Sequence, residues 1–450
     1  SLDRTNAHFV SWYGNAAYTL DGRYSATISG RRDASNLFGL KTNDKWKPLW
    51  SAGLGWEITE EGFWHSRALQ QLKLRVTYGF SGNIDPSQVA VTTIMYGSSS
   101  PYLLEPTARI DNFANPELRW ETVRMINGGI DFAMWRGRLR GSIEYYRKDG
   151  RDLFGTYPVD ITAGIGTSIR RNVASIKATG ADLELYSVNT DGAIGWQSAL
   201  NLSYNKDAVK DYYLASLAAS RFMQGGAAVS GVEGHPIYSV YSYKWAGLDA
   251  TNGNPLGYLG GGQVSDDYNA LTGPEVEVGD LNHHGPALPR FFGSLGNTFS
   301  WKDLSLTVRL QYKFGHYFRR QSIDYGSLFS NWEGHADFAS RWQQPGDEMF
   351  TQVPSMVYPA VNNRDAFYRF SEILVEPADH VRLQYVAVNY MLGRAIAGRL
   401  GLKNLNVQFN ATDLGLIWRA NKQGLDPEYA SSFFSIPPAS SFSLKITANL

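Results

Sequence analysis

Apolar and polar residues alternate with a period of two along most of this chain, and the clearest sample is its final stretch. From Ser440 to Leu450, Phe442, Leu444, Ile446, Ala448 and Leu450 share one face, while Ser443, Lys445, Thr447 and Asn449 share the other. Successive side chains of a strand point to opposite faces, so such a segment can set one face against lipid and the other against water. The pattern recurs upstream. Tyr24, Ala26 and Ile28 alternate with Arg23, Ser25 and Thr27 after an Asp21-Gly22 turn; Trp50 to Ile58 and Leu72 to Phe80 follow. Ile126 to Met134 leads through Arg136-Gly137 into Leu139 to Tyr145, and Trp196 to Tyr204 lies beyond Asp191-Gly192. Phe299 and Trp301 turn at Lys302-Asp303 into Leu304 to Phe314, and Leu405 to Phe409 precedes the last strand. Strands of roughly 9–11 residues, many ending on Trp or Tyr, suit a tilted crossing of a bilayer with aromatic girdles. A soluble β-sandwich also alternates, but its strands are usually shorter and carry no girdles.

Connections of two lengths separate these strands. Short turns fall at 21–22, 135–137, 190–194 and 302–303, with compact ones near 59–70 and 393–402. Long segments fall at 36–49, 81–118, 148–179, 206–289, 315–380 and 413–439. Outer-membrane barrels put short turns in the periplasm and long loops outside. With 206–289 taken as one external excursion, the chain carries about thirteen strands that begin and end running downward. The segment Ile237 to Gly247 reads as a strand, but counting it alone breaks the parity, so it belongs to the excursion or to an extra hairpin. An odd sheet with two free edges cannot sit in hydrocarbon, since its edge N–H and C=O groups would lack partners. Further strands are therefore expected, from the same chain or from a second one.

Composition changes this picture little. Forty-two basic residues balance 42 acidic ones, and no long basic run offers a nucleic-acid surface. With no cysteine, neither a disulfide framework nor a thiolate metal site is possible. The mean hydropathy of -0.30 is compatible with a barrel, because every second residue of each strand faces a polar lumen. No apolar run approaches the roughly 20 residues of a spanning helix. The opening Ser-Leu-Asp-Arg-Thr-Asn lacks the regions of a signal peptide, so a signal was removed or the chain begins inside something larger.

Several blocks, in order, resemble the SusC/RagA-like family of TonB-dependent outer-membrane transporters. They are Tyr24 to Phe38, with an R-x-D-A-S-x-x-F ending; Trp50 to Trp56; Leu72 to Gly79 with Gly82-Asn83; and Asn115-Pro116-Glu117-Leu118-Arg119-Trp120-Glu121-Thr122. Asn127 to Phe132, Tyr145-Tyr146, Arg151-Asp152-Leu153, Gly247-Leu248-Asp249, Gly279-Asp280, Pro289-Arg290-Phe291 and Gly424-Leu425-Asp426-Pro427-Glu428 complete the series. The resemblance implies an all-β transmembrane antiparallel barrel of about 22 strands closed by a plug, of which residues 1–450 hold the last thirteen or so. The plug and early strands would lie outside these residues, and Leu450 departs from the terminal aromatic that such barrels prefer. It also implies outer-membrane import of oligosaccharide-type or peptide nutrients in a Gram-negative bacterium. Energy would come through TonB, and a SusD-like surface lipoprotein would form an external lid. Outer-membrane lipid would surround the barrel, and no cofactor is implied.

The long excursions 206–289 and 315–380 are the expected extracellular loops. The second carries Tyr317, Tyr325, Trp332, Trp342 and Tyr358, with Phe318 and Tyr368 beside them. Such aromatics stack on sugar rings or face a lid; alternatively they pack the loop against itself, since a large loop needs a core. Charged pairs such as Lys73 with Arg75 and Asp182 with Glu184 share a lumen face where solvated charge is expected. No nucleophile, base and orienting group are signalled together, and His283-His284 lacks companions at metal-ligand spacing. Beside an energised importer stand a passive porin or surface adhesin on a similar barrel, and one half of a naturally split transporter.

Overall fold

The computed structural model describes residues 8–35, 46–83, 92–99, 105–112, 115, 118–158, 162, 168–212, 218–223, 229, 231–393, 402–430 and 435–449. Two compact units share them. The first comprises Ser1–Ser187, Asn205–Ala215 and Gly231–His235; the second comprises Val188–Tyr204, Ser216–Ser230 and Pro236–Leu450.

In the first unit the strands β1 (Phe9–Leu20), β2 (Tyr24–Ser35), β3 (Trp46–Glu57), β4 (Leu69–Asn83), β5 (Glu121–Met134), β6 (Leu139–Pro158) and β7 (Ser168–Asp191) pair in sequence order, each antiparallel to the next. β8 (Ile194–Tyr212) contributes Ile194–Tyr204 to the second unit. There β8 pairs with β9 (Phe291–Trp301), followed by β10 (Leu304–Phe314), β11 (His380–Leu392), β12 (Asn404–Thr412) and β13 (Ser441–Asn449), again all antiparallel. Among the described residues these thirteen long strands agree with the roughly thirteen that the alternation predicts, and the short Leu416–Arg419 adds a fourteenth along β11. The tight turns follow from residue type. Asp21 and Gly22 hold φ of 51° and 72°, the positive pair that matches a hairpin's twist, and Arg23 N–H donates to Leu20 C=O at 2.9 Å. Lys302, at φ 50°, turns β9 into β10.

Register sorts the side chains onto two faces. Ala26, Leu54 and Val76 lie abreast on one, and Leu74, Ile130 and Ile143 continue that band. Leu54 is 69% exposed, which would be an aggregation hazard in water but is the expected state against lipid. Trp50 and Trp56 end the band on β3, about 20 Å apart at a strand's rise per residue. Trp50 packs with Tyr78 and Phe80 at ring separations of 5.6 Å to each, while Trp56 stacks on Tyr24 at 6.5 Å. The opposite face is polar. Arg75 donates to both oxygens of Asp131 at 2.7 and 2.8 Å and to Glu144 at 2.8 Å. Glycine makes this possible: a Cβ on Gly129, which lies on β5 between Arg75 of β4 and Glu144 of β6, would stand 3.3 Å from the Arg75 guanidinium.

Two stretches depart from the expected connections, and a third settles a choice that the sequence left open. Most of 148–179 is strand, because β6 runs to Pro158 and β7 starts at Ser168, with a bulge at Gly150–Leu153 and Asp152 at φ 59°. The alternation fades there because strands that outrun the bilayer have water on both faces. Within 81–118, Thr93–Ser99 and Pro106–Asn112 form a separate hairpin. The segment Ile237 to Gly247 stays off the long strands: Ser239–Ser242 pairs with Asn282–Pro286, and Trp245–Leu248 pairs with Pro255–Tyr258. The turn near 393–402 and Leu450 fall outside the described residues, as do Asn36 to Phe38, Pro116 and Glu117.

The two faces should respond differently to one charge. In the complete polypeptide, Val76→Arg on the apolar face is expected to cost about 2–4 kcal/mol, against under about 1 kcal/mol for Ser142→Arg on the polar face. Urea titration of protein folded into vesicles measures both; equal costs would mean that the band does not meet lipid.

Candidate functional site

Residues from both excursions fold in the second unit into a body with its own core. Ile323, Tyr325, Val353, Tyr368 and Leu374 form its centre, with Trp245, Phe329 and Phe338 packed around them. Three short helices support it: α1 (Tyr268–Thr272), α2 (Tyr325–Asn331) and α3 (Asn362–Arg369). Asp324 caps α2 by accepting from Ser327 N–H at 3.2 Å. The two excursions interlock through their backbones. Tyr243 N–H donates to Phe370 C=O and Glu372 N–H to Tyr243 C=O, both at 3.0 Å. Trp245 N–H donates to Glu372 Oε1 at 2.9 Å, and the Trp245 ring stacks on Phe367 at 6.2 Å. The five central residues all come from 315–380, and Trp245 of the other excursion packs against them.

The five aromatics singled out in the sequence take different positions. Tyr325 is 2% exposed and its hydroxyl donates to Pro354 C=O at 2.7 Å. Trp342 is 7% exposed; its ring covers Gly253, whose φ of +69° and missing Cβ leave room for it, and its Nε1 donates to Glu348 at 3.1 Å. Tyr317 lies in the short strand Tyr317–Arg319, paired with Val375–Pro377, near the His284 ring at 6.2 Å. Trp332 and Tyr358 face outward, at 91% and 78% exposure. Trp332 ends α2 at φ 59°, a left-handed cap that carries its ring away from the core, and Tyr358 stands edge-on to Phe329 at 5.0 Å. Phe350, 91% exposed, has no counterpart among the singled-out residues. It follows Pro345-Gly346-Asp347 and a single 3-10 turn at Asp347–Met349, and that turn signal marks where a chain leaves a surface. The outward aromatics are therefore Trp332, Phe350 and Tyr358.

Charge inside the body is tightly partnered. Ser322 Oγ donates to Asp337 at 2.6 Å and lies 2.7 Å from the Tyr368 hydroxyl, and Arg320 reaches Asp337 at 2.6 Å. Buried Arg364 donates to Ser355 C=O at 2.8 Å within its own excursion and to Asn254 at 2.9 Å, a tie that joins the two excursions again. Burial pushes the Asp365 carboxyl up to about 6, outweighing Arg364 at 3.6 Å. Burial, then the neighbouring His380, pushes His316 down to about 4, and the Asp379 carboxylate opposes this only in part. His284 lies 2.7 Å from Ser242 Oγ, but Ser242 is fully buried, so the pair holds structure and meets no substrate. Among the described residues no three His, Cys, Asp or Glu side chains are placed to hold a metal ion. The arrangement offers exposed rings for contact and no reactive group.

Comparisons with known proteins agree with this architecture. The family model "TonB dependent receptor-like, beta-barrel" matches residues 1–233. TonB-dependent receptor P26 of Formosa agariphila is 24% identical over 451 residues, covering 95% of this chain and 43% of that protein. TonB-dependent receptor SusC of Bacteroides thetaiotaomicron is 26% identical over 274 residues, 56% of this chain and 26% of SusC. The RagAB peptide importer in its open-open state superposes with a TM-score of 0.77 at 21% identity, over 99% of this chain and 47% of that one, a likeness of fold. The chain thus spans less than half the length of P26.

Asp365 and His316 make opposite demands on pH. The Asp365 carboxyl takes up its proton at about 6 when folded and near ~3.9 when unfolded, so its contribution grows as pH falls between those values. His316 is neutral when folded down to about 4 but protonates near ~6.5 when unfolded, so its contribution is lost over that descent. Asp365→Asn removes the compensating half. The variant should lose thermal stability between about pH 6.5 and 4 more steeply than the parent. Tryptophan-fluorescence melts across that range test it; parallel profiles would show that Asp365 does not titrate there.

Proposed function

Because this chain belongs to the TonB-dependent receptor-like β-barrel family, we propose that it forms wall and external loops of an outer-membrane importer in a Gram-negative bacterium. The observation that carries this reading is the two-faced antiparallel sheet, apolar outside and ion-paired inside, joined to a large aromatic-bearing loop body. Among the described residues β1 bonds only to β2, and β13 only to β12. Such edges have no partners in hydrocarbon, so further strands close the barrel, to about 22 in all. Energy coupling through TonB falls to a plug in the part of the relatives that this chain does not span.

The cargo is a nutrient of oligosaccharide type, with peptide as the alternative class. Exposed Trp332, Phe350 and Tyr358 support a contact surface for sugar rings or for a SusD-like surface lipoprotein resting on the loops. RagAB, which shares the fold, is a peptide importer and keeps the second cargo in play. A passive porin or adhesin on the same scaffold makes a different prediction about energy.

Two measurements separate these readings. Uptake of labelled oligosaccharides and peptides should vanish when TonB is removed; uptake that persists points to a passive pore. The double substitution Trp332→Ala and Tyr358→Ala should weaken binding of cargo or of a co-purifying lipoprotein by roughly 10- to 100-fold while the protein stays folded. Unchanged binding would remove both rings from the contact surface.

A further inference from the structure

A depression about 520 Å³ in volume opens on the apolar face of the first unit, near the short turns. Two cross-strand rows build it: Tyr18, Ala26, Leu54 and Val76 in one, Leu20, Tyr24, Trp56 and Leu74 in the other. Ala26 is the small residue in the first row, and its missing bulk leaves a slot flanked by Tyr18 on β1 and Leu54 on β3. Those strands are two spacings apart, about 10 Å, of which the flanking side chains take much. A hydrocarbon chain fits such a slot, whereas a helix of about 10 Å diameter does not.

The slot ends in a polar network at the turn. Glu61 accepts from the Tyr24 hydroxyl and from Trp56 Nε1, the latter at 2.9 Å, and pairs with Arg23 at 3.5 Å. Asp21 sits in the adjoining turn. Two carboxylates, Asp21 and Glu61, and one guanidinium, Arg23, are therefore gathered at this turn. Arg23 stays 40% exposed, while Glu61 is largely covered. Ordinary lipid-facing strand surface would not require a tyrosine and a tryptophan to converge on one carboxylate beside a free slot.

The geometry points to a built binding site for a single zwitterionic glycerophospholipid, with an acyl chain in the slot over Ala26, its phosphate on Arg23 and its primary ammonium between Asp21 and Glu61. This rests on the barrel reading above, since the occupant comes from the leaflet that meets the short turns. Two carboxylates against one guanidinium favour an amine-bearing head group over an anionic one.

Native mass spectrometry of the complete protein, purified from outer membranes in detergent, tests the site by adding back phosphatidylethanolamine or phosphatidylglycerol. The parent should retain one phosphatidylethanolamine in preference to phosphatidylglycerol. Ala26→Leu, which fills the slot, should retain it ~10-fold less, and Asp21→Asn, which removes a carboxylate from the ammonium, should erase the head-group preference. Ala26→Val serves in its place if the leucine variant does not show the heat-modifiable mobility of a folded barrel. Equal retention by parent and filled variant, or no head-group preference in the parent, overturns the proposal and leaves the barrel reading standing. A protein that never reaches the outer membrane overturns both.

Discussion

Hydrocarbon offers no partner to a backbone N–H or C=O, and that single constraint organises this molecule. Every long strand from β1 to β13 meets it by antiparallel pairing with a sequence neighbour. Pairing of that kind fixes register, and register decides which residues stand abreast. Once Leu54 stands beside Ala26 and Val76, the apolar band is continuous; one residue of slip would turn it into the lumen.

The polar face shows what the same register permits inside. Arg75 crosses the glycine at 129 to reach Glu144 while also holding Asp131, and Asn127 donates to Glu144 at 2.9 Å. Arg124 reaches Asp149 at 2.7 Å on the opposite face, in register with Phe80 beyond the apolar band. Glycines at lumen positions leave long charged side chains room to lie along the wall. On the apolar face the backbones approach closely at Gly141, where a Cβ would sit 2.2 Å from the Glu184 carbonyl oxygen. Ion pairs at a wet wall add little stability, so their role is to hold a polar surface in a defined shape.

The loop body obeys a different rule. Outside the bilayer the chain can leave the ladder only if it buries enough apolar surface to order itself. Residues 237–258 and 315–380 do so jointly, around Tyr325, Trp342, Phe367 and Tyr368, with Arg364 hydrogen-bonded across the join. Burying those rings is what makes the body rigid enough to present Trp332, Phe350 and Tyr358 at its surface. Its core and its exposed rings come from one pool of aromatic residues.

Period-two alternation is local information, which is why the sequence by itself determined the strands, their faces, the tight turns and the number of crossings. Asp21-Gly22 and Lys302-Asp303 act through their own backbone preferences, with no help from distant residues. The ends of β6 and β7 were not legible, because beyond the lipid both faces are wet and the pattern has no cause to persist. Within 315–380 no period exists at all. Whether an aromatic is buried there depends on what distant residues place against it: Gly253 receives Trp342, Pro354 receives Tyr325, and nothing described covers Trp332. Only the tertiary structure could decide that, since burial outside a periodic element is a property of the pair in contact and not of either residue alone.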